Sequence, residues 1–363
     1  MEIGAELSLY ANDNLQLNDL RSEQQIIHAL IDDSYYSSIY SSIKQTEGES
    51  GEYDFSAASN TGMIYLYLHR KEGKRKEDTK TEYARDIMQF IKYITIRGIL
   101  DFREMKRSQM EEYQEWVESQ FAKKNTQARK ITVLSSFLKW CYAEKYLTKD
   151  LSRGLVGVIL DRSQIPDREI SIESMRGVLR YYDHDPKIKC LILLLASTGL
   201  RLNEVITPKW GDLYFDPIRN KYYLRTKTKR DGERHAQIKS TVLIALIEYR
   251  KRLGLNVEID ARDKSPLFPN RYGKQYSLTS LSALVSNKLE NANFRTVTNH
   301  KTTAHFFRHY FARTAHNNGA PIDMIAKTLG HATSRTTENN YLSRELKKEH
   351  DVTDYVVIPG FED

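Results

Sequence analysis

Four short stretches carry side chains that could act together on a phosphodiester. TGLRLNEV (198–205) holds Arg201, HFFRHYFA (305–312) holds His305 and Arg308, LGH (329–331) holds His331, and TTENNY (336–341) ends in Tyr341. A tyrosine hydroxyl attacking a phosphodiester creates a crowded, doubly charged phosphorane. Fixed guanidinium and imidazole donors stabilise its non-bridging oxygens without a metal ion, and the tyrosine is left covalently joined to the phosphoryl group. A phenol with a reference pKa of about 10 is a weak nucleophile at neutral pH. It needs arginines to stabilise the phenolate and a base such as His305 to take its proton. Arg308 follows His305 by three residues, so both leave one helical face on adjacent turns. Guanidinium suits a phosphate because it is planar, bidentate and always charged.

His305 and His309, four residues apart, would also suit a metal. No glutamate stands between them, the intervening residues are Phe306, Phe307 and Arg308, and a guanidinium repels a divalent cation. His305 and His331 are therefore read as phosphate-facing donors, and His309 as a structural or supporting neighbour. No metal and no cofactor is expected.

In this order the motifs resemble those of the tyrosine recombinases, the phage-integrase family of site-specific DNA recombinases. That family carries an arginine in T-G-x-R-x-x-E, a lysine on a β-hairpin, H-x-x-R, a histidine in L-G-H, and a tyrosine nine or ten residues later. Arg201 matches the first arginine, with Glu204 as its acidic companion. Lys227, in LRTKTKRDGER, matches the lysine, with Lys229 as second choice. His305, Arg308 and His331 match the next positions, and Tyr341 matches the nucleophile; Tyr355 lies too far beyond LGH.

The catalytic resemblance covers about residues 168–350, and a weaker one to the DNA-clamping helical domain covers about 60–150. It implies cleavage through a 3′-phosphotyrosyl intermediate, with Arg201 and Arg308 gripping the scissile phosphate and Lys227 protonating the departing 5′ oxygen. It also implies a tetramer that passes through a Holliday junction on double-stranded DNA with specific recombination sites, open to an accessory DNA-bending or directionality factor. An integrase or transposase-like recombinase of a mobile element is the reading adopted. The alternatives are a resolvase of chromosome or plasmid dimers and, from another class, a non-catalytic DNA-binding regulator.

Composition agrees with a polyanionic partner. The 363 residues leave room for two or three domains, 40% are apolar, and 55 Lys and Arg against 48 Asp and Glu give a net charge of +7. Cys141 and Cys190 lie inside apolar helical patterns and read as buried thiols of a reducing compartment. No apolar run reaches the ~18 residues of a membrane span and no secretory segment opens the chain, so a cytoplasmic protein without membrane contact is expected.

The elements that must position the site follow from periodicity. The expected fold is mainly α with a small antiparallel β-sheet (α+β): a helical DNA-clamping domain and a tyrosine-recombinase catalytic domain. Residues 1–58 are an extension of unknown role with a helix near Ser22–Ile31. Residues 59–148 form a helical core-binding (SAM-like) DNA-binding domain, with apolar spacing over Thr79–Arg97, Arg107–Phe121 and Thr126–Tyr146 and with Asn125 as N-cap of the last helix. Its basic loops KEGKRKEDTK and KKNTQARK would meet phosphates. Residues 149–168, with Gly154, Gly157 and Pro166, form a linker.

Residues 169–350 form the catalytic domain. Helices are expected at Ile172–Tyr182 and Lys187–Thr198, the latter closed by Gly199, then an alternating strand region carrying Lys227. Helices follow at Thr241–Leu253, Thr279–Ala292, Thr303–Asn317 and Ile322–Leu329. In the tail, 351–363, Val356, Val357, Ile358 and Phe361 either dock on a neighbouring protomer or complete their own core.

Overall fold

The computed structural model describes residues 23–48, 51–56, 58–70, 75–160, 168–228, 232–331, 333–338 and 341. Lys229, Tyr355 and the tail 351–363 lie outside the described residues. The chain divides into two units, residues 1–162 and 163–363.

The first unit is helical: α1 (Glu23–Ile31), α2 (Tyr36–Lys44), α3 (Asn60–His69), α4 (Glu77–Ile96), α5 (Arg107–Gln120) and α6 (Lys124–Ala143). α3 has no amphipathic stripe. Every residue from Gly62 to His69 is buried, which is how a helix apolar on all sides behaves at the centre of a bundle. Ser59 starts it by accepting the Gly62 N–H at 3.0 Å. Around it, α4 contributes Ile87, Phe90, Ile91 and Ile94, and α6 contributes Ile131, Leu134, Phe137 and Cys141. Ile26, Leu30, Ile39, Ile43 and Phe55 join the same core, so the described part of residues 1–58 packs with the helices that follow it. Two buried ammonium groups tie elements together: Lys80 meets Asp33 at 2.6 Å, and Lys130 meets Asp86 at 2.9 Å. α6 begins before Asn125, with Lys123 at the cap position and no side-chain cap bond. The start of the expected linker forms a 3₁₀ turn, Leu151–Gly154, against α5. There a Cβ on Gly154 would meet the Arg107 carbonyl at 2.7 Å.

The second unit holds α7 (Ile172–Tyr181), α8 (Pro186–Thr198), α9 (Leu202–Ile206), strands β1 (Leu213–Asp216), β2 (Lys221–Lys227) and β3 (Glu233–Ile238), then α10 (Ser240–Arg252), α11 (Leu278–Asn291), α12 (Ala304–Asn317), α13 (Ile322–Leu329) and α14 (Ser334–Thr337). The sheet is antiparallel in the order β1-β2-β3, with Leu213 opposite Leu224 and Leu224 opposite Ala236. Leu224, Thr226, Ala236 and Ile238 are buried, as period-two alternation requires of a sheet with one packed face. α8, capped by Asp185 at its start, buries Ile188, Cys190, Leu191, Leu194 and Leu195 and packs against α10 and α12. Cys141 and Cys190 are both buried free thiols. Among the described residues, no helix is long and apolar enough to cross a membrane.

Candidate active site

The site grows from the C-terminal end of α8. Gly199 takes φ +61°, the left-handed conformation that glycine adopts without a Cβ penalty, and this turns the chain out of the helix. Arg201 follows and opens α9. Its backbone N–H and its guanidinium donate to the two carboxylate oxygens of Glu204, each at 2.9 Å. Glu204 is 1% exposed, so its charge needs a full set of partners. Arg234 of β3 supplies another, donating to Glu204 at 2.9 Å and to the Thr198 carbonyl at 2.8 Å.

Arg308 is the hub. It lies on α12, fully buried, and makes four hydrogen bonds. Its Nε donates to the Tyr341 hydroxyl at 3.1 Å, one terminal nitrogen donates to the Gly199 carbonyl at 2.7 Å, and the other donates to the Leu329 carbonyl and to His331 Nε2, the latter at 3.0 Å. Four of its five N–H groups thus have protein acceptors. Guanidinium cannot accept, so His331 Nε2 is the acceptor, and Nδ1–H donates to Thr337 Oγ1 at 2.8 Å. Gly330, at φ +67°, ends α13 and delivers His331 to this position. Tyr341 is buried, and its ring stacks on His331 at 5.5 Å and lies 4.3 Å from His309.

Burial and positive neighbours keep the imidazoles neutral. His331 is lowered to about 4, first by desolvation and then by Arg308 and Arg201. His309, 3% exposed, is lowered to about 2, by desolvation first and then by His305 and Arg168. Arg168 sits at 3.0 Å from His309 Nε2, which again makes that nitrogen the acceptor. His305 stands at the exposed side of the cluster, its ring 5.0 Å from His309 and 6.1 Å from Tyr341. Partial desolvation, Arg168 and Arg308 lower it in the same direction. Among the described residues, no group of three or more His, Cys, Asp or Glu could hold a metal ion.

Of the six residues read from the motifs, the structure joins Arg308, His331 and Tyr341 by direct hydrogen bonds and sets His305 beside them. Arg201 is tied in through Glu204. Lys227 makes none of these contacts; it is exposed at the end of β2, one residue beyond Thr226, whose hydroxyl donates to the Glu204 carbonyl. Motif reading passed over Arg234 and Arg168. Arg234 left a signal: it shares strand parity with Ala236 and Ile238, and an arginine on the inward side of a strand needs a buried carboxylate. For Arg168 the sequence offered no such pattern.

A mainly helical unit thus sets a tyrosine hydroxyl on a buried guanidinium, flanked by neutral imidazoles. The Phage integrase family matches residues 168–348, and the SAM-like N-terminal domain of phage integrases matches residues 65–145. The tyrosine recombinase XerD of Halalkalibacterium halodurans is 24% identical over 287 residues, which cover 77% of this chain and 92% of XerD. XerD of Vibrio cholerae is 23% identical over 298 residues, 80% and 95% of the two chains. The fold is that of the XerH site-specific recombinase bound to a palindromic difH substrate (TM-score 0.60, 16% identity, 91% of this chain and 97% of that one). It is also that of the Tn1549 transposon integrase in complex with transposon right-end DNA (TM-score 0.57, 17% identity, 79% and 98%). The chain belongs to the phage integrase family of tyrosine recombinases, enzymes of site-specific recombination that break and rejoin DNA.

Proposed function

We propose that the chain is an integrase- or transposase-like recombinase of a mobile element that cuts and rejoins DNA through a 3′-phosphotyrosyl intermediate. One observation carries this reading: the Tyr341 hydroxyl lies 3.1 Å from Arg308 Nε, in a cluster that also holds His331, His305 and Arg201. Tyr341 Oη attacks the scissile phosphorus, and His305 takes the phenolic proton. Arg201 and Arg308 hold the non-bridging oxygens, joined by His331 as donor once phosphate raises its proton affinity. The bond from phosphorus to the 5′ oxygen breaks, and Lys227 gives that oxygen its proton. Attack by a 5′ hydroxyl from the partner duplex reverses the chemistry and frees Tyr341. Both steps are transesterifications and need no ATP.

Exchange of two pairs of strands calls for a tetramer and a Holliday junction, with residues 59–148 clamping the duplex, residues 149–168 as linker, residues 169–350 as catalytic domain and the tail 351–363 docking on the neighbouring protomer. A lambda integrase tetramer bound to a Holliday junction shares the fold (TM-score 0.57, 13% identity). The Xer relatives favour a second reading, resolution of chromosome or plasmid dimers, which differs in target site rather than chemistry. Sequencing the DNA that becomes covalently attached to the chain tests both, because a mobile-element end and a dimer-resolution site differ in context. Tyr341→Phe should bind DNA yet form no covalent complex on a nicked duplex; an adduct from that variant refutes the assignment.

A further inference from the structure

Arg234 lies on β3, outside the residues assigned above to the phosphate or the proton transfers. Its side chain is 9% exposed. One terminal nitrogen donates to Glu204 at 2.9 Å and the other to the Thr198 carbonyl at 2.8 Å. Thr198 immediately precedes Gly199, whose carbonyl accepts from Arg308. Two guanidinium groups therefore hold consecutive carbonyls at the end of α8, where the helix dipole favours positive charge. The same turn ends at Arg201. On the other side, Arg234 neighbours Glu233, which pairs with Lys227 in the β2–β3 ladder, and Thr226 donates to the Glu204 carbonyl.

Glu204 is therefore shared. Its carboxylate takes the Arg201 guanidinium at 2.9 Å on one oxygen, and the Arg201 backbone N–H and Arg234, each at 2.9 Å, on the other. The Arg201 side chain is 34% exposed, whereas that of Glu204 is 2% exposed. A buried carboxylate left with a single cation holds it tightly, because the alternative is an uncompensated charge. With Arg234 present, Glu204 orients Arg201 and leaves its outer face open.

We infer that Arg234 is a positioning residue of the recombination centre: it locks the hairpin that carries Lys227 to the turn that carries Arg201, and it neutralises Glu204 so that Arg201 remains available to phosphate. This rests on the proposed roles of Arg201 and Lys227. Burial lowers the Arg234 pKa to about 10 and Glu204 opposes that shift, so the side chain is charged at neutral pH.

The test uses the full chain and nicked duplexes from a randomised pool, from which the parent's covalent adducts define the substrate. Single-turnover cleavage is then measured at saturating protein. Arg234→Lys, which retains the charge but cannot bridge both acceptors, should cut roughly tenfold more slowly, and Arg234→Met on the order of 10²-fold more slowly, with DNA binding within about twofold of the parent. Adding Glu204→Gln to Arg234→Met removes the unpaired carboxylate and should restore at least about tenfold of that rate. A residue that merely held the fold together would not be rescued in this way.

Thermal unfolding in a background with Trp116 and Trp140 replaced by Phe, so that fluorescence reports Trp210, buried in the same unit, checks that each variant is folded; if Arg234→Met is not, Arg234→Lys carries the test. Cleavage at the parental rate by both single variants, or a double variant no faster than Arg234→Met, overturns the inference. A parent chain that never forms an adduct overturns the recombinase reading, and the role of Arg234 with it.

Discussion

Acid should unfold the second unit through His309, by an amount the site geometry sets. The imidazole is 3% exposed, packs 4.3 Å from the Tyr341 ring, and accepts from Arg168 at 3.0 Å. Desolvation, then the neighbouring His305, Arg168 and Arg308, lower its pKa from the unfolded value of 6.5 to about 2. The folded state thus excludes a proton that the unfolded state accepts. With more protons bound by the unfolded chain, stability rises with pH. The His309 contribution is therefore intact above about pH 6.5 and is lost progressively as pH falls from there towards about 2. Between about pH 7.5 and about pH 5 this one group should cost about 2 kcal/mol.

Urea titrations at the two pH values measure it, with Trp116 and Trp140 replaced by Phe so that fluorescence reports Trp210 alone. His309→Gln keeps a carbonyl for Arg168 and removes the titration, so its loss of stability over that span should be smaller than the parent's by about 2 kcal/mol. His331 is present in both chains and cancels in the difference, whereas His305, whose ring lies 5.0 Å from His309, is coupled to it, so the difference reports the pair. Equal losses for parent and variant would refute the argument that burial keeps His309 neutral.

Arg308→Lys should lower strand cleavage on the order of 10²-fold through lost bidentate geometry. It should also destabilise the second unit by about 2–3 kcal/mol, because an ammonium cannot hold the Gly199 and Leu329 carbonyls together; single-turnover cleavage and urea unfolding read the two effects separately. Gly199→Ala places a Cβ 2.7 Å from Phe311 and 2.8 Å from Leu329 at a φ of +61°. It should cost about 2–4 kcal/mol in urea unfolding, and a change within error of zero would mean the turn is free to relax. Covalent complex formation should be unchanged in excess EDTA; its abolition there would show that a metal ion takes part in the cleavage step and refute the metal-free chemistry.

The legible parts of the chain were those where residue type and order carry chemistry. Arg201, Arg308, His331 and Tyr341 are separated in sequence by up to 140 positions, and only their types and sequence marked them; the hydrogen bonds that join them depend on two left-handed glycines, Gly199 and Gly330. Amphipathic helices such as α4 and α12 were visible through their stripes. α3 was not, because NTGMIYLYLH is apolar on every side and has no period to detect. α2 was hidden for the opposite reason. YSSIYSSIK looks polar, yet Ile39 and Ile43 lie one turn apart and are buried while Tyr36 stacks on Tyr40 at 5.3 Å. Asn125 had the right chemistry for a cap, but α6 starts at Lys124 and takes no side-chain cap. That Arg308 spends four donors on its own protein could not be read from composition or spacing at all.

Those four bonds give the resting protein a built-in competitor. The Tyr341 hydroxyl and His331 Nε2 occupy donors of Arg308 that, in the proposed reaction, a phosphate oxygen would take. As groups of the same chain they compete at an effective concentration of roughly millimolar or higher. An isolated phosphodiester binding through one or two contacts is too weak to displace them. In the function proposed above, a duplex gripped along many phosphates would spread its binding energy over the whole contact, and a small part of that energy would suffice to exchange the two internal ligands for the scissile phosphate. On that proposal the exchange would release the phenol at the moment an electrophile arrives. Selectivity against stray polyanions would then be a matter of ligand competition inside the catalytic unit, in addition to any reading of bases outside it.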